Sequence, residues 1–114
     1  MRSAAYHLTV PTNTVDYFHH LTDEDRVRIS FSEKRGLIVH FIIQYIAFMQ
    51  GEWREIMRYD TCHGYAHKHT FYLKGEAYII DLTEPGDRLN EMFTEYSNDI
   101  KQNFRRIKEN FLRT

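Results

Sequence analysis

Leu37-Ile38-Val39-His40-Phe41-Ile42-Ile43-Gln44-Tyr45-Ile46-Ala47-Phe48-Met49 is the stretch that decides the fold. Taken every second residue, Leu37, Val39, Phe41, Ile43, Tyr45, Ala47 and Met49 form a wholly apolar row. The alternate row carries His40 and Gln44 among Ile38, Ile42, Ile46 and Phe48. A two-residue period is that of a β-strand, so the spacing predicts a long central strand with one dry face and one wetter face. His40, interrupting so apolar a run, reads as a core histidine with a hydrogen-bond partner. The run falls short of the roughly 20 residues a membrane-spanning helix needs, and membrane insertion is not expected.

On the N-terminal side, Val27, Ile29 and Phe31 alternate with Arg28 and Ser30, a second strand over 26–31, and Ser32 to Gly36 reads as a turn. Residues 1–24 are expected to be loosely attached. Tyr6 to Val10 suggests a short strand, and His19, His20 and Asp23-Glu24-Asp25 suggest loop or surface. On the C-terminal side Gln50-Gly51-Glu52 is a turn. Trp53 to Asp60 returns as a strand with Trp53, Met57 and Tyr59 on one side and Arg54, Ile56, Arg58 and Asp60 on the other. Two further strands are read near 67–73 and 77–82, joined through Lys74-Gly75-Glu76.

Beyond the break at Glu84-Pro85-Gly86-Asp87, the residues Leu89, Met92, Phe93, Tyr96, Ile100, Phe104, Ile107 and Phe111 recur at spacings of three and four. This is one long amphipathic helix, acidic early and basic late, in the order that complements the helix dipole. The expectation is a single α+β domain over 1–114: an antiparallel β-meander of about four to five strands packed by one long C-terminal helix. With 114 residues, 42% hydrophobic and 15% aromatic, the chain has material for one core.

Fifteen Lys plus Arg against sixteen Asp plus Glu, a formal charge of −1, argue against binding nucleic acid or anionic membrane by bulk electrostatics; contact would need a local patch. A single cysteine, Cys62, excludes an intrachain disulfide and a multi-cysteine zinc site, and a reducing cytoplasm fits.

The chemically dense segment is Arg58-Tyr59-Asp60-Thr61-Cys62-His63-Gly64-Tyr65-Ala66-His67-Lys68-His69. On a strand His67 and His69 leave the same face, and a Gly-containing loop can bring His63 back toward them, with Asp60 closing the preceding strand. One use of His63, His67 and His69 is to hold a divalent metal such as zinc, with Asp60 as ligand or orienter. Another is metal-free acid–base chemistry on RNA. One histidine takes the 2′-hydroxyl proton, another protonates the leaving oxygen, and Arg58 or Lys68 steadies the phosphate, while Tyr59, Tyr65 or Tyr72 stacks on bases. The bland alternative is a polar strand edge satisfied by water and backbone. Cys62 next to His63 reads as a bystander, because adjacent residues on an extended chain point apart.

The pattern Arg58-Tyr59-Asp60-Thr61-x-His63-Gly64-x-x-His67-x-His69 resembles a small prokaryotic family of uncharacterised activity and, more distantly, is similar to the TumE-like toxins of toxin–antitoxin systems. The resemblance implies a cytoplasmic effector paired with a small antitoxin protein, its site at Arg58, Asp60, His63, His67 and His69. The leading expectation is a toxin-like or RNA-directed enzyme with a ribonuclease-like activity. The rivals are a metal- or ligand-binding module without turnover and an oligomeric interaction protein, with a homodimer compatible with each.

Overall fold

The structure, a computed structural model, describes residues 13–62, 65–83 and 88–113, and the side chains of residues 62, 65, 76–78 and 83 are outside that description. Six strands follow one another in chain order: β1 (Asn13–Thr22), β2 (Asp25–Lys34), β3 (Leu37–Met49), β4 (Glu52–Cys62), β5 (Tyr65–Tyr72) and β6 (Gly75–Thr83). Helix α1 (Leu89–Leu112) comes last. Every neighbour pair is antiparallel and the sheet order is β1-β2-β3-β4-β5-β6, an uninterrupted meander. The class is α+β as read from the sequence, but the expected four to five strands undercount. The missing one is β1, which pairs with β2 almost end to end, from Asn13↔Glu33 to Thr22↔Asp25. His19 and His20 are exposed, as expected, yet on a strand rather than a loop. The suggested strand over 6–10 and the break over 84–87 lie outside the described residues.

Two tight connections set the register. Arg35-Gly36 and Gln50-Gly51 each take positive φ at both positions (54° and 81°; 56° and 82°), the two-residue turn whose twist matches that of paired strands. Glycine at the second place meets that demand without a Cβ penalty.

Alternation then builds the core. Phe41, Ile43, Tyr45 and Ala47 are fully buried and face Val27 and Ile29 on β2 and Met57 and Tyr59 on β4. Two extra residues break the strict period. Val39 sits at a bulge between Ser32↔His40 and Glu33↔Ile38, which turns Ile38 toward the core and leaves Leu37 and Val39 exposed. His40 is exposed as well, so its expected place as a buried, hydrogen-bonded core histidine is corrected: it belongs to the face that no helix covers among the described residues. Ile56 is the second extra residue, between Tyr45↔Met57 and Ile46↔Glu55. It is buried beside Met57, against the expectation that it would lie with Arg58 and Asp60, and Glu55 takes that place instead.

Helix α1 lies over β2–β5, most heavily on β3. Its stripe is the one the spacing predicts: Leu89, Met92, Ile100, Phe104 and Phe111 are buried, with Phe93, Tyr96 and Ile107 partly so. Edge-on contacts of Phe93 with Phe31 (5.0 Å) and Phe41 (5.8 Å), and a flat stack of Tyr96 on Tyr59 (4.3 Å), interlock the layers. Asn90 pins the start, its Oδ1 accepting the Ile38 N–H (2.9 Å). The Leu73 N–H meets the Phe111 carbonyl near the end (3.0 Å), one of the acceptors a helix terminus leaves unsatisfied. The basic residues sit in the second half of the helix but none in the last turn, so the dipole complement is partial.

Asp25, expected on a loop or surface, is only 4% exposed. Its carboxylate accepts from Thr22 Oγ1 (2.5 Å) and Tyr45 Oη (2.5 Å) and pairs with Lys108 Nζ (2.8 Å), tying helix, turn and central strand together. Burial alone would raise its pKa, but the hydrogen bonds from Lys108, Thr22 and Tyr45 outweigh that and hold it below the ordinary carboxylate value.

Candidate functional site

Only one face of the sheet is covered by α1, so the other carries the side chains that alternation denies to the core. Register assembles them. β4 and β5 place Arg58 opposite His69 and Asp60 opposite His67; β5 and β6 place His67 opposite Asp81 and His69 opposite Ile79. Directly paired residues share a face. Arg58, Asp60, His67, His69, Ile79 and Asp81 accordingly line one open cavity of about 430 Å³.

Arg58 is its hub. Nε donates to Asp60 Oδ2 (2.9 Å), Nη1 to both oxygens of Glu55 (3.2 and 3.1 Å), and Nη2 to His69 Nδ1 (3.3 Å). Because a guanidinium has no acceptor, His69 Nδ1 must offer its lone pair, and the proton of the neutral ring is on Nε2, which lies 3.3 Å from Asp60 Oδ2. These bonds use four of the five N–H donors of Arg58. His67 Nδ1 lies 2.8 Å from Asp81 Oδ1, which fixes the neutral ring with Nδ1–H toward the carboxylate and the lone pair on Nε2. The two imidazole centroids are 6.5 Å apart, and His69 stacks on Phe71 (6.3 Å).

The network extends across the sheet. Glu55 Oε2 accepts from Gln44 Nε2 (2.6 Å), Gln44 Oε1 accepts from Arg28 Nη1 (3.0 Å), and Arg28 pairs with Asp16 on β1 (2.8 Å). Around Arg58 itself, two carboxylates face one guanidinium, a local surplus of one negative charge. Asp60 Oδ1 is buried and has no hydrogen-bond partner among the described residues.

Four of the five residues singled out in the sequence are thus brought together: Arg58, Asp60, His67 and His69. His63 lies outside the described residues, as do the side chains of Cys62 and Tyr65. Among the described residues no three His, Cys, Asp or Glu side chains converge closely enough to hold a metal ion. Lys68, read as an alternative phosphate contact, is on the other face because it alternates with both histidines; its Nζ is 5.7 Å from the Tyr59 ring. Tyr59 is also withdrawn: it is buried under the helix and donates to Asp99 (2.5 Å), and burial together with that bond raises its pKa, so it remains a phenol. Thr61 of the same motif serves the fold, its Oγ1 accepting the Phe41 N–H (3.0 Å) one step past the last β3–β4 pair.

Glu55, Asp81 and Gln44 were not singled out as site residues. Strict alternation places Glu55 with the core row, and only the bulge at Ile56 brings it out; Asp81 becomes visible once the β5–β6 register is known. Gln44 was placed on the wetter face of β3, and that row assignment was the available signal.

The fold and the polar network define a small α+β protein with a one-sided meander whose open face carries paired imidazoles and carboxylates. The chain belongs to the family described as a domain of unknown function, DUF7718, whose model matches residues 11–114. That description states no activity and does not mention TumE-like toxins. No curated protein and no solved structure matches the chain. Among the described residues no helix is long and apolar enough to cross a membrane.

Proposed function

We propose that the open face is the active site of an RNA-directed enzyme that needs no metal. The observation that carries this reading is the pair His67 and His69, 6.5 Å apart, each beside a carboxylate, with Arg58 Nη2 on His69 Nδ1. His67, with Asp81 on Nδ1, presents the basic nitrogen and takes the 2′-hydroxyl proton. The 2′-oxygen bonds to the adjacent phosphorus, the bond to the 5′-oxygen breaks, and that oxygen takes a proton from the His69 imidazolium. His69 reaches that form when a phosphate oxygen draws Arg58 Nη2 toward itself, which lets Nδ1 accept a second proton while Asp60 steadies the cation. The products are a 2′,3′-cyclic phosphate and a 5′-hydroxyl.

In this reading the protein is a toxin-like effector of the cytoplasm restrained by a small antitoxin protein, and a homodimer is compatible with it. Purified protein incubated with RNA in chelator should cleave it. An absence of cleavage with and without chelator, from protein whose expression is harmless to cells, would sink the idea.

A second reading is favoured by one atom, the buried Asp60 Oδ1, which has no hydrogen-bond partner among the described residues, together with the surplus negative charge around Arg58. Both suit a bound cation or hydrogen-bond donor, and with His63, His67 and His69 as ligands the protein would be a metal-binding module without turnover. Elemental analysis of tag-free protein separates the two readings. Stoichiometric metal lost in His67→Ala and His69→Ala favours the module.

A further inference from the structure

At the opposite end of the open face, Arg26 is clasped between two rings. Its guanidinium carbon lies 4.5 Å from the centroid of Phe18 and 3.9 Å from that of Trp53, and Phe48 meets Trp53 edge-on at 5.4 Å. These rings are on the surface: Phe18 is 46% exposed, Phe48 38% and Trp53 37%. Two other guanidiniums of this face are occupied by carboxylates, Arg28 by Asp16 and Arg58 by Glu55 and Asp60. Arg26 makes no ion pair among the described residues, and its buried Nε has no hydrogen-bond partner there. His20 lies directly across the β1–β2 ladder from it.

A flat cation held by aromatic stacking, with no carboxylate paired to it among the described residues, suits a ligand that brings both an anion and a π-face. We propose that this corner is a stacking subsite for single-stranded nucleic acid, a base lying on the Trp53 or Phe18 ring and a phosphate on Arg26. The inference rests on the RNA-directed reading and gives it a substrate class, an unpaired strand. Charge complementarity selects this occupant, since a second copy of the chain would bring a second Arg26 to the same corner. Trp53 and Arg58 are five positions apart on β4, roughly 15 Å along the strand. A segment of about four nucleotides, the small end of single-strand site sizes, would span the corner and the histidine cavity.

Trp53 is the only tryptophan in the chain, so its fluorescence reports on this corner alone. The probe is oligodeoxythymidylate, which lacks the 2′-hydroxyl and cannot be cleaved by the proposed chemistry. Saturable quenching of Trp53 is expected. Arg26→Ala should weaken binding of a labelled oligomer by about tenfold or more, and reduce the salt slope by about 0.7 for the lost phosphate contact. Arg26→Lys should keep the slope and lose the affinity that the flat stack supplies, with thermal melts showing that both variants fold. Binding without cleavage of RNA supports the subsite and overturns the enzyme. Cleavage of RNA with no quenching of Trp53 and no effect of Arg26→Ala overturns the subsite and leaves the enzyme standing. A doubled solution mass that Arg26→Ala abolishes, with no oligomer bound, assigns the corner to a second copy and overturns the proposal.

Discussion

Asp25 and Asp60 are both carboxylates at the centre of hydrogen-bond networks, on opposite faces of one sheet, and they differ in how completely they are satisfied. Asp25 is enclosed, with Thr22, Tyr45 and Lys108 supplying its two oxygens. Asp60 takes Arg58 on Oδ2, with His69 beside the same oxygen, and leaves Oδ1 without a hydrogen-bond partner among the described residues, at the edge of an open cavity. A saturated buried network holds elements together. An unsaturated one beside solvent retains capacity to bind or to transfer protons.

Breaking the Asp25 side should cost most. Asp25→Ala leaves Lys108 and the Tyr45 hydroxyl without their partner and should destabilise the fold by about 3 kcal/mol or more, read in urea titrations. Acid should reveal the same contribution. Since the folded pKa of Asp25 is depressed below 3.8, its share of stability is fully present above that pH and lost as pH falls through the lower folded value. The stability gap between wild type and Asp25→Asn should therefore be constant from neutral pH to about 5 and shrink below about 4; a gap unchanged down to the acid transition would contradict the assignment.

Asp60→Ala should cost less, about 1 kcal/mol, because the network it leaves is wetter and Glu55 still holds Arg58. Its effect on RNA cleavage should be the larger one. The smallest stability effect is expected for His67→Ala, within about 0.5 kcal/mol, since its partner Asp81 is 78% exposed and the pair is screened by solvent.

What could be read from the sequence follows from how locally each feature is encoded. β3 and the stripe of α1 were legible because each buries a face of its own at a fixed period. The common face of His67 and His69 was legible for the same reason. β1 was not: as an edge strand with Val15, Tyr17 and His19 on one side and Asp16, Phe18 and His20 on the other, it has no dry face to mark its period. Asp25 resembled its acidic neighbours Asp23 and Glu24 until Lys108, more than eighty residues away, was seen to reach it. Both β3 and β4 misled where a bulge interrupts alternation, at Val39 and Ile56. The second of these matters for the site, because it turns Glu55 outward to hold Arg58.

The contrast between the two carboxylate networks is tested most directly by measuring RNA cleavage and thermal stability together in Asp25→Asn and His67→Ala. Asp25→Asn should melt earlier than wild type yet cleave normally below its melting point. His67→Ala should melt with wild type and lose cleavage by about a hundredfold or more. Cleavage at the wild-type rate by a fully folded His67→Ala protein would contradict the account.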